Sequence, residues 1–180
     1  MELPLVVGVD GSDSSLLAVD WGTDEAARHR LPLRLVYASR WEGYEDVLPT
    51  AGLQRSSYQV MADNIVAAAA ERTRRRNPEV KVIAVVVPED PVDALLHEGD
   101  NATAVLTGCR GRGGLQGLLL GSVSLAVAGR GSGPVVVVRG DKTGMEGRHE
   151  QIVLGAGEPG TSGAAVRDRK STRLNSSHVD

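Results

Sequence analysis

Short apolar runs alternate with longer stretches of helical periodicity through the first 140 residues. The predicted strands are 5–10, 33–38, 80–87, 102–107 and 134–139. The first predicted helix begins at Ser12 or Asp13, and the other three span 53–76, 91–97 and 121–130. Residues 41–52 are a predicted loop. Strands that are apolar throughout are typical of sheets covered on both faces. The pattern therefore predicts an α/β fold, an open parallel sheet with helices on both faces.

Each long predicted helix carries apolar residues at or near helical spacing. They are Leu16, Leu17, Trp21 and Ala27, which form an apolar stripe in the first helix, and Met61, Ile65 and Ala68 in the second. Pro32 marks the exit of the first helix, and Pro78 stops the second.

The predicted topology points to a binding site before any motif is considered. Ligands of open parallel sheets bind beyond the carboxyl ends of the strands, where the strand order reverses. Asp10, Ala38 and Gly108 each stand at the end of a predicted strand. We therefore expect a site around these residues.

A glycine-rich loop, GCRGRGGLQGLLLGSVS at 108–124, joins the fourth strand to the last helix. Glycines let the backbone approach a ligand, and a helix N-terminus offers free N–H groups to an anion. Ser122 and Ser124 add hydroxyls, and Arg110 and Arg112 add positive charge. The loop thus suits a polyphosphate. It is equally compatible with a surface loop whose Ser122 only caps a helix.

Two familiar phosphate-binding motifs are absent from this loop. It contains no Gly-Lys-Ser or Gly-Lys-Thr, so it is not a P-loop. Gln116 stands where the dinucleotide fingerprint that starts at Gly111 needs its third glycine.

The spacing of Gly108, Gly111, Gly121 and Ser122 (G-x2-G-x9-G-S) resembles the nucleotide-binding motif of the ATP-binding branch of the universal stress protein family. The stretches 6–12, 35–38 and 134–138 are also similar to that family, so the resemblance covers about residues 4–140. It implies a Rossmann-like domain at 1–140 with a five-stranded sheet in the order 3-2-1-4-5.

The resemblance implies ATP above the carboxyl edge of the sheet, with Mg²⁺ or Mn²⁺ carried on the phosphates rather than in a protein cage. Asp10 would hold the adenine or ribose end, and Ala38 would meet the adenine through its backbone. The expected binding residues are Asp10, Gly11, Ser12, Ala38, Gly108, Arg110, Gly111, Arg112, Gly121, Ser122, Val123 and Ser124. Cys109 stands where serine is more common in the family. It is either a passive small residue or a redox-sensitive thiol.

No catalytic residue is predicted. An ATPase must orient a water and stabilise developing charge, and the candidates are Asp10, Asp13 and Arg112. Asp10 is better explained as a ligand for nucleotide hydroxyls, and His29 and His97 belong to predicted helix faces or ends. We expect a stress-response regulator whose ATP occupancy shifts partner affinity, with slow hydrolysis left open. The alternatives are a nucleotide-using enzyme, such as an adenylyl transferase, or a structural dimer that binds no nucleotide.

Composition narrows the choice of partners. With 20 basic and 23 acidic residues the net charge is -3, which gives no reason to expect DNA or RNA. Arg74, Arg75 and Arg76 are expected to form the solvated end of a helix. No apolar run reaches membrane-spanning length and the N-terminus shows no signal pattern, so we expect a soluble cytoplasmic protein.

The last strand is the expected interface with a partner. The resemblance implies a homodimer, or pairing with a tandem domain, through the strand from Pro134 to Arg139. Its four valines would otherwise form an exposed apolar edge, which native sheets avoid.

The end of the chain contains three further predicted segments. Residues 141–151 are polar and glycine-rich, as in a linker. Residues 152–167 repeat the start of the domain at an offset of 147 residues, with Gly157 in place of Asp10, and so predict a truncated second copy. Residues 168–180 lack apolar periodicity and resemble a translated sequencing-library adapter, which predicts a non-native tail; an ordinary disordered tail is the alternative.

Overall fold

The computed structural model describes residues 2–39, 52–111 and 120–140, with only the backbone described at 52–57. Met1–Arg139 form one compact unit, and Gly140–Asp180 are assigned to a second. The predicted linker, second copy and tail (141–151, 152–167 and 168–180) lie outside the described residues, as does nearly all of the predicted loop at 41–52.

Strands and helices alternate through the described part of the chain. The elements are β1 (Leu5–Gly8), α1 (Asp13–His29), β2 (Leu33–Ala38), α2 (Gly52–Arg76), β3 (Val82–Val87), α3 (Pro91–Gly99), β4 (Ala104–Gly108), α4 (Ser122–Arg130) and β5 (Val135–Val138). Each corresponds to a predicted element, with ends that differ by a residue or two.

The five strands form one parallel sheet in the order β3-β2-β1-β4-β5. β1 lies at its centre, where Leu5 pairs with Leu33 of β2 on one side and with Ala104 of β4 on the other. The predicted fold class and strand order are confirmed. The chain runs from β1 to β2 and β3, then crosses to β4, so the order reverses between β1 and β4. This switch point is where the topology places a ligand.

The residues that α1 buries are not those of its apolar stripe. Its buried residues are Ser15, Ala18, Val19, Asp20, Gly22, Thr23 and Ala26, whereas Leu16, Leu17, Trp21 and Ala27 are partly exposed. The helix lies close to the strands: a Cβ on Gly22 would come within 3.0 Å of Leu106 and 3.1 Å of Val7. The residues that α1 buries are accordingly mostly small.

The residues that α2 buries also differ from the apolar ones noted in its sequence. The side chains it buries are Ala62, Val66, Ala69, Ala70 and Thr73. Met61 is 37% exposed and Ala68 is exposed, while Ile65 is half-buried. The buried stripe again consists mainly of small residues, which a search for large apolar side chains passes over.

Ion pairs join α1 to α2. Arg72 donates two hydrogen bonds of 2.6 Å to Asp20, and Arg76 donates two of 2.6 Å to Asp24. Each side chain is four residues from its neighbour on the same helix, so the pairs stack along one seam. The hydrogen bonds to the carboxylates raise the pKa of Arg72 and of Arg76. We call these four residues the α1–α2 clamp.

Most of the arginines and histidines that were predicted to lie at helix ends or on helix faces do so. Arg74 and Arg75 lie in the last turn of α2 and pair with Glu71, as expected of a solvated helix end. Arg76 departs from this expectation because it belongs to the clamp. His29 and His97 lie on helices and are exposed.

Candidate functional site

A cleft of about 510 Å³ opens at the carboxyl ends of β1, β2 and β4. Its lining residues, among those described, are Gly8, Val9, Asp10, Ser15, Val36, Tyr37, Ala38, Pro91, Leu95, Thr107, Gly108, Arg110, Gly111, Leu120, Gly121, Ser122, Val123 and Ser124. The volume lies within the range of about 300–1,000 Å³ typical of small-molecule sites. The cleft lies at the switch point that the strand order defines.

The cleft brings together residues that are far apart in the sequence. Of the predicted binding residues, Asp10, Ala38, Gly108, Arg110, Gly111, Gly121, Ser122, Val123 and Ser124 line it. Gly11 and Ser12 lie beside it without lining it, and Arg112 lies outside the described residues.

Asp10 is held in place by the start of α1. The Ser12 amide and hydroxyl both donate to Asp10 Oδ1, at 2.9 and 2.6 Å. The Ser12 side chain also accepts from the Ser15 amide at 3.2 Å and caps the helix. Gly11 makes the turn possible because its φ is 79°, a value that L side chains rarely adopt. Gly11 and Ser12 therefore position Asp10.

Two glycines of the motif pass too close to the segment around the start of α1 to carry a side chain. A Cβ on Gly108 would lie 2.5 Å from the carbonyl carbon and oxygen of Ser14, and a Cβ on Gly111 would lie 2.7 Å from Asp10 Oδ2. Gly121 differs, since its Cβ would meet nothing nearer than Arg110 Cα at 3.5 Å. Packing within the described chain explains the first two glycines of the motif but not the third.

Several loop amides are already bonded within the protein. The amides of Gly121 and Cys109 donate to the carbonyls of Cys109 and Val138, at 2.7 and 2.9 Å. The Arg110 amide donates to Ser14 Oγ at 3.2 Å. These bonds hold the loop against β5 and α1, so these amides stabilise the loop.

The N-terminus of α4 is different. Its N-cap is Gly121, which provides no side-chain cap, and the first turn, Ser122 to Ser124, lines the cleft. First-turn N–H groups have no partner within a helix and lie at the positive end of its dipole. The Ser124 hydroxyl donates to the Gly108 carbonyl at 2.7 Å and fixes the helix to β4. The exposed Ser122 hydroxyl is therefore better placed than Ser124 to meet an anion.

Another part of the lining is apolar. Val36 and Ala38 come from the end of β2, while Pro91 and Leu95 come from α3. Asp90 caps α3 by accepting from the Val92 amide at 2.9 Å, and this fixes the start of the helix beside the cleft. These apolar residues come from two elements that are separate in the sequence, since β2 precedes β3 and α3 follows it.

Sequence reasoning missed half of the lining. The missed residues are Gly8, Val9, Ser15, Val36, Tyr37, Pro91, Leu95, Thr107 and Leu120. Val9 and Tyr37 precede predicted residues at strand ends, so extending each prediction by a residue would have found them. Pro91 and Leu95 carry no such signal, because their place depends on how α3 crosses the sheet.

Cys109 does not line the cleft. Its Sγ lies 3.5 Å from Ser14 Oγ, and the residue is half-buried. Among the described residues no group of three or more His, Cys, Asp and Glu side chains is placed to hold a metal ion. Within the same residues, no helix is long and apolar enough to cross a membrane.

The fold and the site define a doubly wound, Rossmann-like α/β protein with its cleft at the switch point. Residues 3–139 match the profile of the Universal stress protein family. The chain belongs to this family.

Relatives and solved structures agree with this assignment. Universal stress protein Rv2623 of Mycobacterium tuberculosis (strain ATCC 25618 / H37Rv) is 37% identical over 138 residues, which cover 77% of this chain and 46% of Rv2623. The chain spans about half the length of the curated relatives it matches.

Two of the similar solved structures contain nucleotides. A universal stress protein in complex with cAMP is 30% identical with a TM-score of 0.56, and the match covers 77% of this chain and 98% of that one. The universal stress protein from Archaeoglobus fulgidus in complex with dAMP is 19% identical with a TM-score of 0.59, covering 76% and 98%. At that identity the second structure supports the fold alone.

Proposed function

We propose that this protein binds an adenine nucleotide, ATP, in the cleft and acts as a nucleotide-dependent regulator of the stress response. The observation that carries the proposal is that the lining of one cleft has two chemically different parts. The uncapped N-terminus of α4 supplies one part, and apolar side chains from β2 and α3 supply the other. A nucleotide has the same division between its phosphates and its base.

The phosphates would lie at α4. Free N–H groups and the helix dipole favour an anion there, and Arg110 adds positive charge. Gly121 supports this assignment, because the chain itself leaves room for a side chain at that position. A ligand that approaches the backbone closely would require the glycine. The contribution of Arg112 to the phosphates stays a prediction.

The adenosine would lie against Val36, Ala38, Pro91 and Leu95, which offer an apolar surface to a flat base. Asp10 is the carboxylate that lines the cleft among the described residues, and Ser12 fixes its orientation. Carboxylate oxygens accept hydrogen bonds from hydroxyls, so Asp10 suits the ribose.

A divalent cation would arrive with the phosphates. Mg²⁺ keeps several of its waters and often binds through one or two carboxylates plus substrate phosphates. The described residues offer no cluster that could hold the ion by itself, and Asp10 is one carboxylate beside the cleft. The donor set thus suits Mg²⁺ or Mn²⁺ bound together with ATP.

The regulator and the enzyme differ in turnover. Calorimetric titration with ATP and Mg²⁺ should show saturable binding, and phosphate or pyrophosphate release should stay below about 1 s⁻¹, a low value for enzymes. Asp10→Asn should weaken binding because it removes the negative charge and replaces one carboxylate oxygen, an acceptor for ribose hydroxyls, with an NH₂ donor. Asp13→Asn is the matched control, since Asp13 is exposed on α1 and does not line the cleft.

Each alternative has its own outcome. Folded protein that gives no heat with ATP would support a structural dimer instead. Turnover well above about 1 s⁻¹ would identify an enzyme. Equal losses of affinity in both aspartate variants would contradict the assignment of Asp10.

We also propose self-association, or pairing with a tandem domain, through the segment from Pro134 to Arg139. β5 is an edge strand of the described sheet, and Val135, Val136 and Val137 are only half-buried on it. Apolar sheet edges favour pairing with another strand. The greater length of the relatives supports the tandem form. Sedimentation velocity should give twice the mass of the chain, and a monomer at micromolar concentration would contradict the homodimer.

A further inference from the structure

Thr107 is the last residue of β4 with a side chain before Gly108 and the glycine-rich loop. It is 4% exposed and lines the cleft. Its Oγ1 is buried and has no hydrogen-bond partner among the described residues. A buried hydroxyl without a partner is unfavourable, because it has lost its bonds to water and gained none in return.

The other buried hydroxyls of the described chain are all satisfied. Ser15 donates to the Ser12 carbonyl at 2.9 Å, and Thr23 donates to the Val19 carbonyl at 2.7 Å. Thr73 and Ser124 donate to the carbonyls of Ala69 and Gly108, at 3.3 and 2.7 Å. Thr107 therefore departs from a rule that the other buried hydroxyls of the described residues follow. Valine would fill the same volume without an unsatisfied oxygen, so packing alone does not explain the threonine.

The surroundings of Thr107 favour a neutral partner. Because side chains alternate along a strand, Thr107 shares a sheet face with Val105, which packs with Leu95 and Val127 in the core. Thr107 is also paired with Val137 in the sheet register. A phosphate would lose its hydration against these apolar groups, whereas Arg110 and Ser122 offer it an exposed position.

We propose that Thr107 is a specificity-determining residue whose hydroxyl hydrogen-bonds a polar group of the bound nucleoside, either a ribose hydroxyl or a ring nitrogen. This inference rests on the proposed nucleotide site. The bond forms in a buried, mostly apolar position, so a ligand that lacks the matching group leaves the hydroxyl unsatisfied and binds more weakly.

Thr107→Val separates this role from a structural one. The variant keeps the shape and removes the hydroxyl, so the ligand-free protein should be as resistant to denaturant as the unmodified protein, or more so. Its affinity for ATP should nevertheless fall by about 2-fold to 10-fold, the effect of one hydrogen bond. Thr107→Ser is the matched variant: it keeps the hydroxyl and should restore the affinity for ATP, although it removes a methyl group from the core.

Nucleotide analogues then identify the contact. 2′-Deoxy-ATP or 3′-deoxy-ATP should bind the unmodified protein and Thr107→Val equally if the partner is the hydroxyl that the analogue lacks. A deaza-ATP, in which C–H replaces one ring nitrogen, should do so if the partner is that nitrogen. A loss of affinity in Thr107→Val that is the same for inorganic triphosphate would overturn the nucleoside contact.

The remaining outcomes are also decisive. If Thr107→Val binds ATP as tightly as the unmodified protein, the inference fails and the proposed function stands. If Thr107→Val is less stable and binds normally, the hydroxyl has a structural role. If the unmodified, folded protein binds none of these nucleotides, both proposals fail.

Discussion

Glycines in this protein have different physical roles, and Gly108 and Gly129 show the contrast. Gly108 ends β4 where the start of α1 leaves no room for a Cβ, and the nearest atoms belong to the Ser14 backbone. Gly129 lies within α4, and a Cβ there would meet nothing within 4 Å. Backbone atoms cannot rotate away as a side chain can. The first glycine is therefore required by close packing, whereas the second is not.

The same substitution should consequently have opposite effects at the two positions. Gly108→Ala forces the loop away from α1 and should lower the free energy of unfolding by about 1–3 kcal/mol, as overpacking does. Gly129→Ala should raise it by about 0.5–1 kcal/mol, because alanine is the better helix former. Urea denaturation of both variants measures this. A destabilised Gly129→Ala, or an unaffected Gly108→Ala, would contradict the packing described here.

The sequence predicted individual site residues where local position was enough. Asp10, Ala38 and Gly108 were found because they end apolar runs, and in a parallel sheet all such ends meet at one edge. Thr107 stands directly before Gly108, but its importance could not be predicted, because the property that singles it out, a buried hydroxyl without a partner, exists only after the layers have packed. Leu95 was missed for a similar reason, since the crossing of α3 over the sheet is not encoded in a local pattern.

At the scale of elements, the order and approximate bounds of strands and helices could be predicted, but the buried helix faces could not. Apolar runs and Pro residues mark where elements begin and end. The faces depend on how closely two layers approach, and here α1 is close enough to select Gly22 and Ala18 over Leu17 and Trp21. Hydrophobicity ranks large side chains above small ones, so it predicts the wrong face whenever layers are close.

The α1–α2 clamp gives a test at this scale. Asp20 is 8% exposed and Arg72 has a 40% exposed side chain, so their pair lies between a surface ion pair and a buried one. Arg72→Ala leaves the Asp20 carboxylate with Arg76 at 3.9 Å as its nearest basic partner. We expect a loss of about 1–2 kcal/mol of stability, between the values for exposed and buried pairs.

The control for the clamp is Arg75→Ala. The Arg75 side chain is 78% exposed and pairs with Glu71 on the same helix, so this variant should lose no more than about 0.5 kcal/mol of stability.

Because the hydrogen bond to Asp20 raises the pKa of Arg72, the folded protein keeps this group charged to higher pH than the unfolded chain does. The contribution of the Arg72 guanidinium to stability is therefore fully present below its unfolded-state pKa, and it should not change near neutral pH. Equal losses of stability in Arg72→Ala and Arg75→Ala would contradict the proposed role of the clamp.

At the scale of the whole molecule, the strand order β3-β2-β1-β4-β5 is what assembles the site. It brings the ends of β1, β2 and β4 to one edge and places the start of α4 beside them. The central claim is that this edge binds ATP with its phosphates at α4. Backbone amides report such contacts directly, so an ¹H–¹⁵N NMR titration of the full chain with ATP and Mg²⁺ tests the claim most directly. We predict that the largest shift changes occur at 8–10, 36–38, 107–111 and 122–124, while amides at the end of α2 stay unchanged. Saturable changes confined to other surfaces, or none from a folded protein, would contradict the account.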